Sequence, residues 1–390
     1  DIFLYIVYGQ GNNPTLERDI LRRLLDMKKI GALVLALTLT VGILLTGCGE
    51  SKEGGGTGES KEGAIKSVAF LAGALGDKSF IDISYAGIKS AGEKLGITYK
   101  AVEYGSDKSK MEPALLDSAE TYDMVIFSGN EFLEYLYKYP DDFPNTKFVA
   151  FDIEPGTEIK MANVFAITFR QCESDYLAGA FAMTLSDTKV VGFLGGMEAP
   201  VINDFLVGFI EGVQRVDSNG KVALVYNGSY SDAPKAKEFC LMMVNQNKAD
   251  VLHQVAGGAG LGVFQACQEA GIWGIGVDAD QYEFFKDEKP EIAAVIITSA
   301  EKRVNVALET AITDTYNGTA TYYGTREDWG IEKGVADLAQ NEFYEANAPQ
   351  ACKDAVNAAR EDVKSGKVKV TTGYGMDQEE LNRRRNSVKP

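Results

Sequence analysis

The chain has 390 residues, 45% of them apolar, with 39 Lys plus Arg against 56 Asp plus Glu and a net charge of −17. That length holds two domains of ordinary size and enough apolar side chains to fill them. The acidic balance argues against nucleic acid and against a charge-driven grip on anionic lipid, and five cysteines with no CxxC pair beside one histidine argue against a disulfide framework or a His-built metal site.

In chain order, residues 1–26 read as upstream sequence, with Met27 as the natural start. Met27, Lys28 and Lys29 lead into "IGALVLALTLTVGILLT" (30–46). A basic start, an apolar core and small residues at the cut make 27–47 a secretory signal, and the run is short for a membrane span. "LTGC", Leu45 to Cys48, resembles the bacterial lipobox. The resemblance implies a thioether-linked diacylglycerol on Cys48, which becomes the first mature residue and the membrane anchor. "GESKEGGGTGESKEG" has no large apolar side chain, so 48–63 is expected to be a lipidated, flexible tether. The localisation that follows is the outer face of the bacterial cytoplasmic membrane.

From Lys66 the pattern alternates. "SVAFLAG" is a short apolar run, and "FIDISYAGIKSAGEKLG" carries apolar residues at steps of three and four before stopping at Gly96. The rhythm repeats through "YDMVIFSG", "TKFVAFD", "NVFAITFR", "KVVGFLGG", "KVALVYNG", "ADVLHQVAGG", "IWGIGVD" and "IAAVIITS". Buried strands alternating with helices mean parallel sheets covered on both faces. The strands are too many for one compact sheet, so two doubly wound parallel-sheet lobes are expected. Ligands of such sheets sit beyond the carboxyl ends of the strands, which directs attention to "GALGDKSF", "FSGNEF", "FDIEPG", "GGMEAP", "NGSYSDAP", "AGGAGLG", "VDADQ" and "TSAEK".

Several of these pieces, in this order, resemble one family. They are "GDKSF" (76–80), "KYP" (138–140), "ITFR" with "YLAG" (167–170, 176–179), "GGMEAPVINDFLVGFIEG" (195–212), "SYSDAPKAKE" (229–238), "VAGGAGLGVF" (255–264), "GVDADQ" (276–281) and "TSAEKRVNVA" (298–307). Residues from about Ser67 to Val370 are similar to the basic membrane protein (BMP) family of ABC-transporter substrate-binding lipoproteins, which includes the purine nucleoside receptor. The resemblance implies a type I periplasmic-binding-protein fold, α/β, with two lobes joined by a three-crossing hinge. The crossings are expected near Arg170, Ile296 and Tyr322. The N-terminal lobe is then 64–170 plus 297–322, the C-terminal lobe 171–296 plus 323–375, and 376–390 a polar tail.

The resemblance also implies the ligand: a nucleoside, of purine type, captured by hinge closure and delivered to an ABC permease driven by its ATPase, by a monomer. A flat base calls for aromatic faces and a ribose diol for carboxylate and ammonium groups. Phe80 matches the family's stacking phenylalanine, and Tyr230 stands where the family has a second aromatic on the opposite lobe. Asp278 and Lys302 match the ribose-binding aspartate and lysine, a carboxylate from one lobe and an ammonium from the other. Asp152 is a third strand-end acid, for a base edge or a ribose hydroxyl. Ser79, Ser128 and Asn130 on the first lobe and Phe205 on the second are further candidates. Gly257 and Gly258, in "AGGAGLG", permit close backbone approach; the segment lacks the P-loop ending and the dinucleotide-loop spacing. One departure concerns specificity: most members carry an aspartate shortly after the first strand, in a "TD" pair ahead of the phenylalanine, and here that position is Leu71. Leu71 keeps open another flat or hydroxylated ligand, such as a flavin, a modified base or a sugar, and a membrane-tethered sensor is the alternative to transport.

Cys172, Cys240, Cys267 and Cys352 read as small buried hydrophobes, and His253, inside "DVLHQVA", as a structural histidine. No cluster has metal-ligand spacing, and no cofactor or catalytic residue is expected.

Overall fold

The computed structural model describes residues 64–390. The expected signal, the tether and Cys48 lie outside these residues. The first half runs β1 (Ser67–Ala72), α1 (Phe80–Leu95), β2 (Thr98–Glu103), α2 (Met111–Thr121), β3 (Met124–Ser128), α3 (Gly129–Lys138), β4 (Lys147–Phe151) and β5 (Val164–Phe169). The second runs α4 (Gln171–Leu185), β6 (Val190–Gly195), α5 (Pro200–Val216), β7 (Lys221–Tyr226), α6 (Ala233–Met242), β8 (Val251–Val255), α7 (Gly260–Ala270), β9 (Trp273–Asp278), α8 (Gln281–Phe285), α9 (Pro290–Ala293) and β10 (Ile296–Lys302). The chain ends with α10 (Val304–Asn317), β11 (Thr325–Trp329), β12 (Ala336–Leu338), α11 (Glu342–Asn347), α12 (Gln350–Lys364) and α13 (Gln378–Ser387).

These strands form two six-stranded sheets, ordered β11-β5-β4-β3-β1-β2 and β12-β10-β9-β8-β6-β7. The orders coincide when β1–β5 are matched with β6–β10. Only β12 runs antiparallel to its neighbour. The central strands are buried along their length because helices cover both faces, which explains their continuous apolar runs. β2, at one edge, alternates more freely between exposed and half-buried positions.

The three crossings lie side by side. Arg170 N–H donates to the Trp329 carbonyl at 2.8 Å, and Arg303 N–H donates to the Val335 carbonyl at 2.8 Å. Glu173 ties the first crossing to the third, accepting from Arg170 Nε and from Ile331 N–H. The first crossing falls at Arg170. The second follows Lys302 rather than Ile296, because Ile296–Lys302 is a single strand of the second sheet. The third spans Gly330–Val335 rather than the neighbourhood of Tyr322, because β11 adds to the first sheet in parallel with β5. β11 is "TREDW", an edge strand with one buried residue, so no apolar run announces it.

Residues 376–390 are not a loose polar tail. α13 is capped by the Asp377 carboxylate, which accepts from Glu380 N–H at 2.8 Å. It docks on α5 through Leu381, buried at 3% exposure, and through Arg384, which pairs with Glu211 at 2.8 Å. Arg385 donates to Asn203 Oδ1 and to Tyr226 Oη, and Val222 N–H donates to the Val388 carbonyl. A single apolar residue, Leu381, and arginine-mediated docking leave the helix with no amphipathic signature.

α4 and α5 pack with almost nothing between their backbones. A Cβ on Gly179 would lie 2.1 Å from the Phe209 carbonyl oxygen, on Gly208 2.0 Å from that of Cys172, and on Gly212 2.1 Å from that of Tyr176. Three glycines therefore set the interhelical distance. All four described cysteines are buried and free. His253 is fully buried: its Nε2 lies 3.1 Å from Asp175 Oδ1, its Nδ1 3.2 Å from the Ile275 carbonyl, and its ring stacks on Phe209. It thus fastens β8 to α4 and β9 inside the second lobe.

Candidate functional site

The loop after β1 is built by carboxylates. Asp77 accepts from the N–H groups of Ser79, Ile81 and Asp82 at 2.9–3.1 Å, which caps α1. Asp82 accepts in return from Gly76 and Lys78 N–H. The clamped loop fixes Phe80 as the first residue of α1, its ring 5.5 Å from that of Phe151 at the end of β4. Ser79 is fully buried and donates its hydroxyl to Asp278 Oδ2 at 2.8 Å, from one lobe to the other.

An aspartate with left-handed backbone follows β4 and another ends its match β9, Asp152 at φ 61° and Asp278 at φ 65°. This conformation is uncommon for a side-chain-bearing residue, though Asp tolerates it better than most. It turns both carboxylates out of their sheets. Asp152 accepts from Lys302 Nζ at 2.5 Å. Lys302 ends β10 and is only 2% exposed. Its ammonium lies 4.9 Å from the centre of the Phe80 ring, 5.3 Å from Phe169 and 5.8 Å from Phe205, so rings of both lobes surround it. Asp278 and Lys302 were expected on different lobes. They instead end neighbouring strands of the second sheet, with Glu301 paired to Asp278 in register. The acid that reaches Lys302 from the first lobe is Asp152.

Between the lobes lies a cavity of about 520 Å³, a size suited to a small organic molecule. The first lobe contributes Phe80, Ser128 and Asp152; the second contributes Phe205, Tyr230, Gly257, Gly258, Asp278 and Lys302. Ser79 reaches the site through Asp278. Asn130 falls in the first turn of α3, and its side chain lies outside the described residues. Tyr230 is 44% exposed and stands beside Gly196, where a Cβ would lie 2.3 Å from its ring. Burial, with Asp152 and Asp278 close by, raises the Tyr230 phenol above its usual value. Phe205 rather than Tyr230 is the second-lobe ring that shares Lys302 with Phe80. Leu71 also lines the cavity and is buried.

Sequence reasoning passed over Asp77, Glu131, Phe151, Val201 and Ile202, all of which face the cavity. Asp77 and Glu131 stood inside two of the strand-end segments, "GALGDKSF" and "FSGNEF", but no spacing distinguished them from surface acids. Phe151 looked like strand core, and Val201 and Ile202 like the apolar face of a helix.

Burial pushes the Asp278 carboxyl up to about 6, against the pull of Lys302 and the Ser79 hydrogen bond. Asp204, on α5 beside Phe205, is also pushed up to about 6 by burial, although it accepts from Thr372 Oγ1 and Gly373 N–H. An unfolded aspartate titrates near 3.9. Between pH about 4 and 6 the folded chain therefore holds more protons at these two groups than the unfolded chain. Their contribution to stability is greatest below that window and falls as pH rises through it. In thermal unfolding across pH 4–6, Asp204→Asn should lose the part of this slope that belongs to Asp204, worth about 2–3 kcal/mol at full titration. A wild-type slope retained in the variant would contradict the assignment.

Two matched α/β lobes, a three-crossing hinge and a cavity between the lobes at the strand ends define a two-lobed substrate-binding protein. The family model described as ABC transporter substrate-binding protein PnrA-like matches residues 64–369, and the chain belongs to this family, Bmp. An ABC transporter nucleoside-binding protein, BmpA, of Lactococcus lactis subsp. cremoris is 30% identical over 88% of this chain and 99% of its own length. Basic membrane protein A of Borreliella burgdorferi is 28% identical over 69% of this chain and 77% of its own length. Among solved structures, an ABC transporter solute-binding protein of Aeropyrum pernix superposes with a TM-score of 0.68 at 25% identity, covering 83% of this chain and 99% of that one.

Proposed function

We propose that this ABC-transporter substrate-binding protein captures a nucleoside, of purine type, between its lobes and hands it to the permease of an importer. The observation that carries the reading is the Lys302 ammonium, ringed by Phe80, Phe169 and Phe205 and bonded to Asp152, in a cavity that also holds Asp278. Phe80 offers a face for the base, with Phe205 and Tyr230 on the opposite lobe. Asp278 and Lys302 receive the ribose hydroxyls, with Asp152 holding the lysine in place. Ser79 orients Asp278, and the Gly257–Gly258 turn lets backbone approach the ligand. The nucleoside-binding description of the Lactococcus relative supports the ligand class. No bond is made or broken; the lobes turn about the three crossings and close.

The membrane attachment proposed here runs through a lipid on Cys48 and places the binding lobes outside the cytoplasm. No described helix is long and apolar enough to cross a membrane. Mass spectrometry of the mature N-terminus tests the anchor: an unmodified Cys48 would remove it.

Calorimetric titration with a panel of nucleosides tests the ligand, and the reading fails if none binds at micromolar concentration. Phe80→Ala should weaken binding by about fivefold to a hundredfold, the range for loss of one base–aromatic stack, with the unfolding midpoint little changed because the ring is only partly buried. Unchanged affinity would remove Phe80 from the ligand's contacts.

A second reading, another flat or hydroxylated molecule, rests on the apolar wall that Leu71, Val201 and Ile202 give the cavity. Native mass spectrometry of co-purified ligand distinguishes the two.

A further inference from the structure

The acids around the cavity differ in what already holds them. Asp77 accepts three backbone N–H groups. Asp152 holds Lys302, and Asp278 accepts from Ser79. Glu131, in the first turn of α3, has a single hydrogen-bond partner among the described residues, the Tyr104 hydroxyl, which donates to Oε2. It forms no ion pair with any described lysine or arginine. Tyr104 follows β2, is buried at 6% exposure, and has its ring against the Gly73 backbone. Burial and the adjacent carboxylate raise its phenol well above its usual value, so it stays a donor. The Tyr104 bond thus holds the Glu131 carboxylate in place without neutralising it.

The surroundings give this carboxylate its meaning. Leu71, Ala72 and Gly73 line the cavity on the same side and present no polar side chain. Tyr104 takes one lone pair of Oε2, so Oε1 and a second pair on Oε2 remain to accept from a ligand. A carboxylate only accepts. It suits an edge with two adjacent donors, bound in a bidentate, charge-assisted manner. It opposes an edge that turns a ring-nitrogen lone pair toward it.

We propose that Glu131 is the specificity-determining residue for the base, and that the cleft prefers a base with adjacent N–H donors, the N1–H and 2-amino group of guanine, over adenine. The assignment rests on the nucleoside reading above. Adenine places one N–H donor beside an acceptor nitrogen, so it makes one bond to Glu131 and meets one repulsion. Hypoxanthine offers the ring N–H alone and falls between the two. A site built to receive donors discriminates against the analogue that lacks them.

The test is calorimetric titration of the full chain with guanosine, inosine and adenosine, for wild type, Glu131→Gln and Tyr104→Phe. Wild type should bind in the order guanosine, inosine, adenosine, with guanosine ahead of adenosine by about tenfold to a hundredfold. Glu131→Gln should collapse that ratio to within about threefold, since an amide offers both a donor and an acceptor, and should leave the unfolding midpoint unchanged because the side chain is exposed at the cleft. Tyr104→Phe keeps the carboxylate and should keep the order while weakening guanosine. Nucleoside binding without a guanosine preference, or a preference unchanged in Glu131→Gln, overturns this inference and leaves the nucleoside reading standing. Failure of every nucleoside to bind overturns both.

Discussion

Lys302→Met should destabilise the protein by about 3–5 kcal/mol, the range for removing one partner of a buried ion pair. Lys302 is 2% exposed and bonded to Asp152, itself buried, so the variant leaves the Asp152 carboxylate buried with no cation beside it. Asp278 also loses the charge that opposes its desolvation. Methionine fills much of the same volume, so packing alone predicts a far smaller loss. The double variant Asp152→Asn, Lys302→Met separates the lysine's two roles. With the stranded charge removed, stability should return most of the way to wild type. Nucleoside binding should not return, because the proposed ammonium donor to the ribose is still missing. Equilibrium denaturation and calorimetry on wild type and the two variants read these outcomes. A single variant as stable as wild type would mean that the pair is not formed in solution.

Gly212→Val is the second large effect, and it acts away from the cavity. Cβ at this position would lie 2.1 Å from the Tyr176 carbonyl oxygen and 2.9 Å from the Ala180 nitrogen, all backbone, so no side chain can turn aside. α4 and α5 would have to separate. Overpacking of a well-filled core typically costs about 1–3 kcal/mol. Here the loss should sit at or above the top of that range, because the same seam carries Gly179 and Gly208. α5 also carries Phe205 to the cavity wall, so affinity for the proposed nucleoside should fall along with the unfolding midpoint. Equal midpoints for Gly212→Val and wild type would show that the helices do not pack at this distance.

The architecture was legible because its signals are local and repeated. Buried strands such as "MVIFS" and "VFAITF" are apolar throughout, and the rule that ligands gather at strand ends led to residues that the structure collects around one cavity. Places where polarity hides structure were not legible. "AEK" reads as the start of a helix but finishes β10, which shifts the second crossing and carries Lys302 to the lobe of Asp278. "TREDW" is an edge strand defined by pairing with β5 rather than by its own composition. "QEELNRRRNS" is held to α5 by arginine contacts to residues distant in sequence. The distinction of Glu131 lies in what surrounds it, the Tyr104 hydroxyl and an apolar wall, which only the folded chain brings together.

The coincidence of the two strand orders has a further meaning. A chain made of two copies of one plan begins with two equal half-sites facing each other, and equal halves suit a symmetric guest. The proposed guest, a nucleoside, has a head and a tail. Asp152 and Asp278 occupy the same station in each copy and share the same left-handed turn, yet one is committed to Lys302 while the other receives only a serine hydroxyl. A single lysine at the end of β10, where the counterpart strand β5 ends in Phe169, is enough to make twin parts unequal. The cleft thereby acquires a direction.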